Sequence, residues 1–252
     1  MISILISSCR GGITCELCIE SILKRTRGIP YKIIVFDSTG PSPELDYLQE
    51  QERRENIRLL TAPTPKTHGH AIEQLLGVCN TTYGFILDSD IEIINGNWLK
   101  NILTLLRSYK DLGVAKFRSG SFNFGMPDAA FAPTFWAAHM LLNMDNYRNL
   151  GFTGSWIGGK VPIENYLHRN ELLGKDMGQK FIYYDTAAQF TEKVLFDNPN
   201  DYRMILQPAN FWHLQMTHYG GISSNWPELK SPRIALRLQT MQKRLQALRN
   251  ES

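Results

Sequence analysis

No run in this chain approaches the roughly 20 consecutive apolar residues that a membrane-spanning helix needs, so nothing in it reads as a bilayer span. Cysteine is sparse, with four residues, Cys9, Cys15, Cys18 and Cys79, in 252. That excludes the disulfide lattice of a small secreted scaffold. Cys15 and Cys18 make a CxxC, but no second pair or nearby histidine completes a zinc set, so both are expected as reduced thiols on a helix. Charge of one sign is scarce too. The net charge is +3 and no basic block occurs before the C-terminal region, which argues against a nucleic-acid partner. The apolar opening Met1-Ile2-Ser3-Ile4-Leu5-Ile6 lacks a basic start and is interrupted by Gly11-Gly12, so it reads as a first strand rather than a signal peptide. The expected location is the cytoplasm, at most peripheral to the inner membrane face.

What is present is an ordinary globular composition, 43% apolar, enough for one large domain with a sizeable core. Residues 1–105 alternate strand and helix signals. Residues 2–7, 32–36, 57–60 and 84–87 read as strands, and residues 14–24, 43–51 and 71–79 as helices between them. Such alternation implies crossover connections and a mostly parallel sheet flanked by helices, an α/β fold. Residues 98–109 read as a further helix. From 106 to 230 the pattern loosens. Residues 117–133 and 151–162 read as glycine-rich loops, 135–144 as strand or helix, 164–177 as helix and 179–185 as strand. From Pro232, Ile234, Leu238, Met241, Leu245 and Leu248 recur at spacings of four and three, with Arg237, Lys243, Arg244 and Arg249 between them. That predicts an amphipathic basic helix over 231–252, whose apolar stripe suits its own domain, a second subunit or an anionic membrane surface.

The densest chemistry lies in Gly84-Phe85-Ile86-Leu87-Asp88-Ser89-Asp90. An apolar strand stops on two carboxylates one residue apart, and in extended chain both point to one side. The carboxyl ends of strands are where open α/β sheets bind ligands. Like charges so close repel unless a cation sits between them. A hard divalent ion, Mg²⁺ or Mn²⁺, would suit the pair and bridge to substrate phosphates. Two solvated turn aspartates are the alternative.

The order of these pieces resembles the nucleotide-sugar domain of family 2 glycosyltransferases, which have the GT-A (Rossmann-like) fold. The matching residues are Ile4-Leu5-Ile6-Ser7-Ser8-Cys9-Arg10, Ser21, Ile33-Ile34-Val35-Phe36-Asp37-Ser38, His68-Gly69-His70-Ala71 and Tyr83-Gly84-Phe85-Ile86-Leu87-Asp88-Ser89-Asp90. The resemblance implies one GT-A-like domain over 1–252. Residues 1–105 would form the nucleotide-sugar half and 106–230 the acceptor half. It further implies that Ser8, Arg10, Asp37, His70, Asp88, Ser89 and Asp90 contact the donor, with Asp37 at base or ribose. Asp88 and Asp90 would hold Mn²⁺ or Mg²⁺, which neutralises the leaving diphosphate. His218, and after it His213, would complete the metal site.

An inverting transferase needs a carboxylate to deprotonate the acceptor hydroxyl. Glu164-Asn165 looks like the family's acidic pair, but the second position is an amide. Glu164 and Asp176 are therefore the expected catalytic residues, with Asp145 as a further carboxylate. Trp136, Trp156, Trp212 and Trp226, with Phe122, Phe124, Phe131 and Phe135, could line the acceptor cleft by stacking on sugar rings. Trp156, flanked by glycines, is the preferred one. His68 reads as loop polarity. The expected reaction moves a sugar from a nucleotide-diphosphate donor to a hydroxyl of a glycan, lipid or small molecule. Two alternatives stand beside it. One is a non-catalytic nucleotide- or sugar-binding module, favoured by Asn165. The other is a haloacid-dehalogenase-like phosphatase, whose Asp-x-Asp usually lies near the N-terminus and is not followed by an acid at position 92.

Overall fold

Apolar strands without polar alternation must be covered on both faces, and the strands of the first half are arranged accordingly. The computed structural model describes residues 1–118, 129–162, 181–197, 200–207, 215–218 and 232–251. In chain order the first half runs β1 (Ile2–Ser8), α1 (Ile13–Arg25), β2 (Tyr31–Asp37), α2 (Pro43–Arg53), β3 (Arg58–Thr61), α3 (His68–Val78), β4 (Tyr83–Asp88), β5 (Ile91–Ile93) and α4 (Trp98–Leu103). β1 pairs in parallel with β2 on one side and β4 on the other, and β2 pairs with β3. Ile2, Ile4 and Ile6 pack with Cys18, Ile19, Ile22 and Trp98 from α1 and α4. Leu5, Ile34 and Ile86 face Ile72 and Leu75 of α3. Burying such side chains is worth about 1.5–3 kcal/mol each, so both faces of the sheet are committed.

The second half extends this sheet and adds smaller ones. It contains β6 (Asp111–Ala115), β7 (Phe117–Arg118), β8 (Ala129–Phe131), β9 (Thr134–Phe135), β10 (His139–Asn143), α5 (Met144–Asn149), β11 (Gly159–Pro162), β12 (Phe181–Tyr184), α6 (Ala188–Glu192), a π-helical turn at Lys193–Asp197, β13 (Arg203–Leu206), β14 (Met216–His218) and α7 (Pro232–Asn250). The central sheet has the order β13-β6-β10-β4-β1-β2-β3. Only β10 runs against its neighbours. β8, β11 and β12 form a separate three-stranded sheet, β7 pairs with β9, and β14 pairs with β5.

Two expectations change, and one open choice narrows. The helix expected over 98–109 stops at Leu103. There Thr104 Oγ1 donates to Asn101 O (2.7 Å), and the Asp111 carboxylate draws the Arg107 and Ser108 amides into a turn. α3 begins three residues before the expected start, because Thr67 Oγ1 accepts from the His70 amide and caps it. The C-terminal part of the stripe packs on its own domain: Met241, Leu245 and Leu248 are buried against Leu17 of α1. Those three side chains are therefore not presented to a membrane or a second copy. Cys15 and Cys18 are free, buried thiols on α1, as expected.

Candidate functional site

The chain moves outward from β1 to β2 and β3, then returns to the far side of β1 as β4. That reversal leaves a crevice at the carboxyl ends of β1 and β4, where doubly wound sheets take ligands. Ser7 lies opposite Asp88 in the ladder. Asp88 ends β4, Ser89 and Asp90 form a tight turn, and β5 follows at once. The two carboxylates thus share one cleft, but a turn brings them together and not the alternation of an extended strand. The turn is fastened from beneath. The Asp88 amide donates to Ala138 O (2.9 Å), the Cys18 thiol approaches Asp88 O (3.7 Å), and the Ile93 amide donates to Ser21 Oγ (2.9 Å). Burial, then the Asp90 and Asp88 carboxylates, push the Cys18 thiol far above the ordinary range. It is an inert packing group beneath the turn.

The cleft has a volume of about 440 Å³ and is lined by Ser7, Ser8, Cys9, Gly11 and Thr14 after β1, Ser38 after β2, Lys66, Thr67, His68 and Ala71 around the start of α3, and Asp88, Ser89 and Asp90. His68 Nε2 lies 3.0 Å from Asp88 Oδ1. Burial lowers the affinity of this imidazole for its proton. The Asp88, Asp185 and Asp90 carboxylates outweigh that and hold its pKa above the usual histidine value. His68, read from the sequence as loop polarity, is thus part of the site. With α3 starting at His68, helical periodicity puts residues 68 and 71 on the cleft side and turns His70 away, edge-on to Phe36 at 6.0 Å. His68 lines the cleft and His70 does not.

Of the other expected donor residues, Ser8, Asp88, Ser89 and Asp90 line the cleft. Asp37 is 1% exposed and accepts from the Thr39 amide (3.1 Å) and hydroxyl (2.6 Å). Beside it, Glu44 accepts from Ser8 Oγ, from the Gly12 amide (2.8 Å) and from Thr39 Oγ1 (3.4 Å). Burial pushes both carboxyls above their ordinary pKa, against these hydrogen bonds. Together they brace the two strand ends. Arg10 is exposed, with a left-handed backbone (φ 57°) and its amide on Thr39 Oγ1 (2.8 Å). It turns the chain at the rim and does not line the cleft.

Trp156 corrects the expectation of an exposed sugar platform. It is 1% exposed, stacked on Phe190 (5.0 Å between centroids, 21°), with its indole N–H on Tyr147 Oη (3.1 Å). Its flanking glycines allow close packing instead of exposure: a Cβ would stand 2.7 Å from the Phe152 ring at Gly154 and 2.6 Å from the Tyr184 carbonyl at Gly158, and Gly69 of α3 admits the Trp156 carbonyl, 2.0 Å from where its Cβ would stand. Glu73 accepts from the Trp156 amide and Ser155 Oγ, both at 3.0 Å, and locks the segment onto α3. Trp136 is the half-buried indole at the site end of the sheet. It packs on His139 (4.8 Å), which is opposite Leu87 in the ladder. Asp145 follows β10 at the other end of the sheet, where Asn143 pairs with Tyr83, and it meets Arg148 at 3.2 Å. It cannot face Asp88. Glu164, Asp176 and His213 lie outside the described residues, as do Asn165, Trp212, Trp226, Phe122 and Phe124. His218 falls opposite Ile91 in the β14–β5 ladder, one residue past Asp90 in register.

One carboxylate was missed. Asp185 follows β12 directly and acts electrostatically on His68 from the second half, although it is not one of the residues that line the cleft. Its Oδ1 accepts from the Thr186 amide (2.8 Å). The signal was the one that found Asp88, an apolar strand ending on an acid. Among the described residues no group of three or more His, Cys, Asp or Glu side chains is placed to hold a metal by itself. Two convergent carboxylates nevertheless fit a hard divalent cation that keeps water and phosphate oxygens as its remaining ligands.

No protein-family model matches the chain, and no curated protein sequence matches it either. Solved structures do, and they define the fold as GT-A-like, with a mostly parallel seven-stranded sheet between helices. The mannosyltransferase PcManGT from Pyrobaculum calidifontis, in complex with GDP-Man and Mn²⁺, superposes with a TM-score of 0.51 and 15% identity, covering 82% of this chain and 55% of that one. S. aureus TarS 1-349 gives 0.47 and 13%, covering 77% and 63%. Its complex with UDP-GlcNAc gives 0.47 and 11%, covering 82% and 58%. The chain spans little more than half the length of these proteins.

Proposed function

We propose that this chain is a metal-dependent, inverting glycosyltransferase that moves a sugar from a nucleotide-diphosphate donor to a hydroxyl acceptor. The observation that carries the reading is the placement of Asp88 and Asp90 at the switch point of a GT-A-like sheet, facing a cleft of about 440 Å³. The superposed mannosyltransferase was solved with GDP-Man and Mn²⁺, which supports a nucleotide-sugar and a divalent ion here. Asp88 and Asp90 would hold the cation, and His218 and His213 are proposed to complete its shell. When bound, such an ion supplies positive charge to a departing diphosphate. Ser8 and the Gly11–Thr14 turn form the nucleotide wall. His68 Nε2 lies 3.0 Å from Asp88 Oδ1 and holds that carboxylate in place. Asp185 of the second half acts electrostatically on His68, and we assign it the acceptor's proton. Glu164 and Asp176 are the other proposed carboxylates for that step. A base on the face opposite the leaving group gives inversion.

The test is a thermal-shift series of the whole chain with GDP and UDP, with and without Mn²⁺. Saturating diphosphate with metal should raise the midpoint by roughly 5–10 °C, and Asp90→Asn should abolish the metal-dependent part. If neither diphosphate stabilises the fold with Mn²⁺ present, the reading is wrong. A chain that binds donor yet never turns it over, even to water, would be the binding module instead.

A further inference from the structure

We propose that Arg244 of α7 is a positioning residue for the Asp88–Asp90 turn, acting through Glu92; this rests on the transferase reading above. The turn is suspended between two unequal supports. β4 sits inside the seven-stranded sheet. β5 is three residues long, lies outside that sheet, and among the described residues is laddered only to β14. Its placement therefore depends on side chains. Ile91 and Ile93 are buried in the core as alternation requires. Glu92, between them, is also only 1% exposed, although alternation points it to the other side. It is buried beneath the side chains of Arg244 from α7 and Arg25 from α1.

Arg244 meets this carboxylate with both arms of its fork. Nη2 donates to Oε1 (2.6 Å), and Nε lies 3.1 and 3.3 Å from the two oxygens. Arg25 of α1 adds a second guanidinium at 3.5 Å and donates to Ile93 O (3.1 Å). Two planar forks around one buried carboxylate fix its direction, because a bidentate pair specifies orientation as well as charge. A buried ion pair is seldom needed for stability, since apolar residues of like volume pack as well. What it does provide here is a single position for the residue two places beyond Asp90, set by a side chain 152 residues later. α7 is itself fastened by Met241, Leu245 and Leu248 on Leu17 and by Arg249 on Glu16 (2.8 Å).

The consequence is measurable without turnover. In calorimetric titrations of Mn²⁺ into the whole chain with saturating GDP or UDP, Arg244→Gln should weaken Mn²⁺ by about tenfold or more, the size of effect expected for groups that orient metal ligands, and Arg244→Lys by less. Arg249→Gln removes an exposed pair from the same helix and should stay within about twofold of the parent. If Arg244→Gln alone does not fold, the double variant Glu92→Gln with Arg244→Gln removes the buried charge and its partner together, and should show the same weakening. Unchanged Mn²⁺ affinity in the folded variant, even with a lower melting temperature, would reduce Arg244 to a packing residue and overturn the proposal. A parent chain that binds neither diphosphate with Mn²⁺ overturns the transferase reading, and the role of Arg244 with it. The two failures are thus distinct.

Discussion

Two parts of the site are held by different means. The wall carrying Ser8 and Asp88 belongs to β1 and β4, which share a parallel ladder from Ile2–Tyr83 to Ser7–Asp88 in the middle of the sheet. Asp185, by contrast, follows a four-residue strand in a separate three-stranded sheet, and β5 has only a three-residue ladder. Backbone ladders in a buried sheet set position by cooperativity. Short strands depend on particular side chains, as Arg244 with Glu92 and Glu73 with Trp156 illustrate. Positions set by the β1 and β4 ladder should therefore tolerate surface change, whereas the Asp90 end of the turn and the segment after β12 should be sensitive to single distant residues.

The largest effect that would sharpen this contrast concerns Asp185. Asp185→Asn should lower turnover of the nucleotide-sugar, hydrolysis included, by about a hundred- to ten-thousand-fold. Binding of GDP or UDP with Mn²⁺ should remain close to that of the parent. Loss of diphosphate binding would move Asp185 to the donor wall and erase the division. Next comes Trp156→Ala, which should cost about 3–5 kcal/mol in urea unfolding, with diphosphate affinity kept where the variant is folded. Full stability with impaired turnover would restore Trp156 as a sugar platform.

The smallest effect is one of pH, on the brace behind the donor wall. Burial raises the Glu44 and Asp37 carboxyls, so between the ordinary and raised values the native state holds more protons than the unfolded one. Stability contributed there is present at low pH and lost as pH rises from the ordinary glutamate value of 4.5 through the raised one. Relative to the parent, Glu44→Gln should flatten that fall, whose slope is at most about 1.4 kcal/mol per pH unit for one group. Parallel pH–stability curves for the two chains would remove Glu44 from the account.

The same contrast explains what was legible in the sequence. β1, β2, α2 and β4 were readable within about two residues, because unbroken apolar runs and helical spacing are local signals. The Asp88–Asp90 pair was readable because it interrupts such a run. That His68 and not His70 lines the cleft was not, since it turns on whether Thr67 caps α3, and three residues of helix start rotate every side chain after it. Trp156 was misread for a related reason. Glycines beside an aromatic signal close approach, but they do not say whether solvent or another backbone does the approaching. Asp185 ends a strand that was foreseen. Its partner His68 is more than a hundred positions away, and nothing local joins them.

The covering of α1 by α7 has a consequence for how the protein is made. Synthesis runs from the N-terminus, and domains generally begin folding while the rest is still emerging. All of β1 to β5 precede α7 by more than a hundred residues. Until α7 arrives, Leu17 has no lid and Glu92 lacks its Arg244 partner. A nascent chain can thus possess its sheet and both aspartates well before their turn is set, and a helix made more than a hundred residues later completes the first site to be formed.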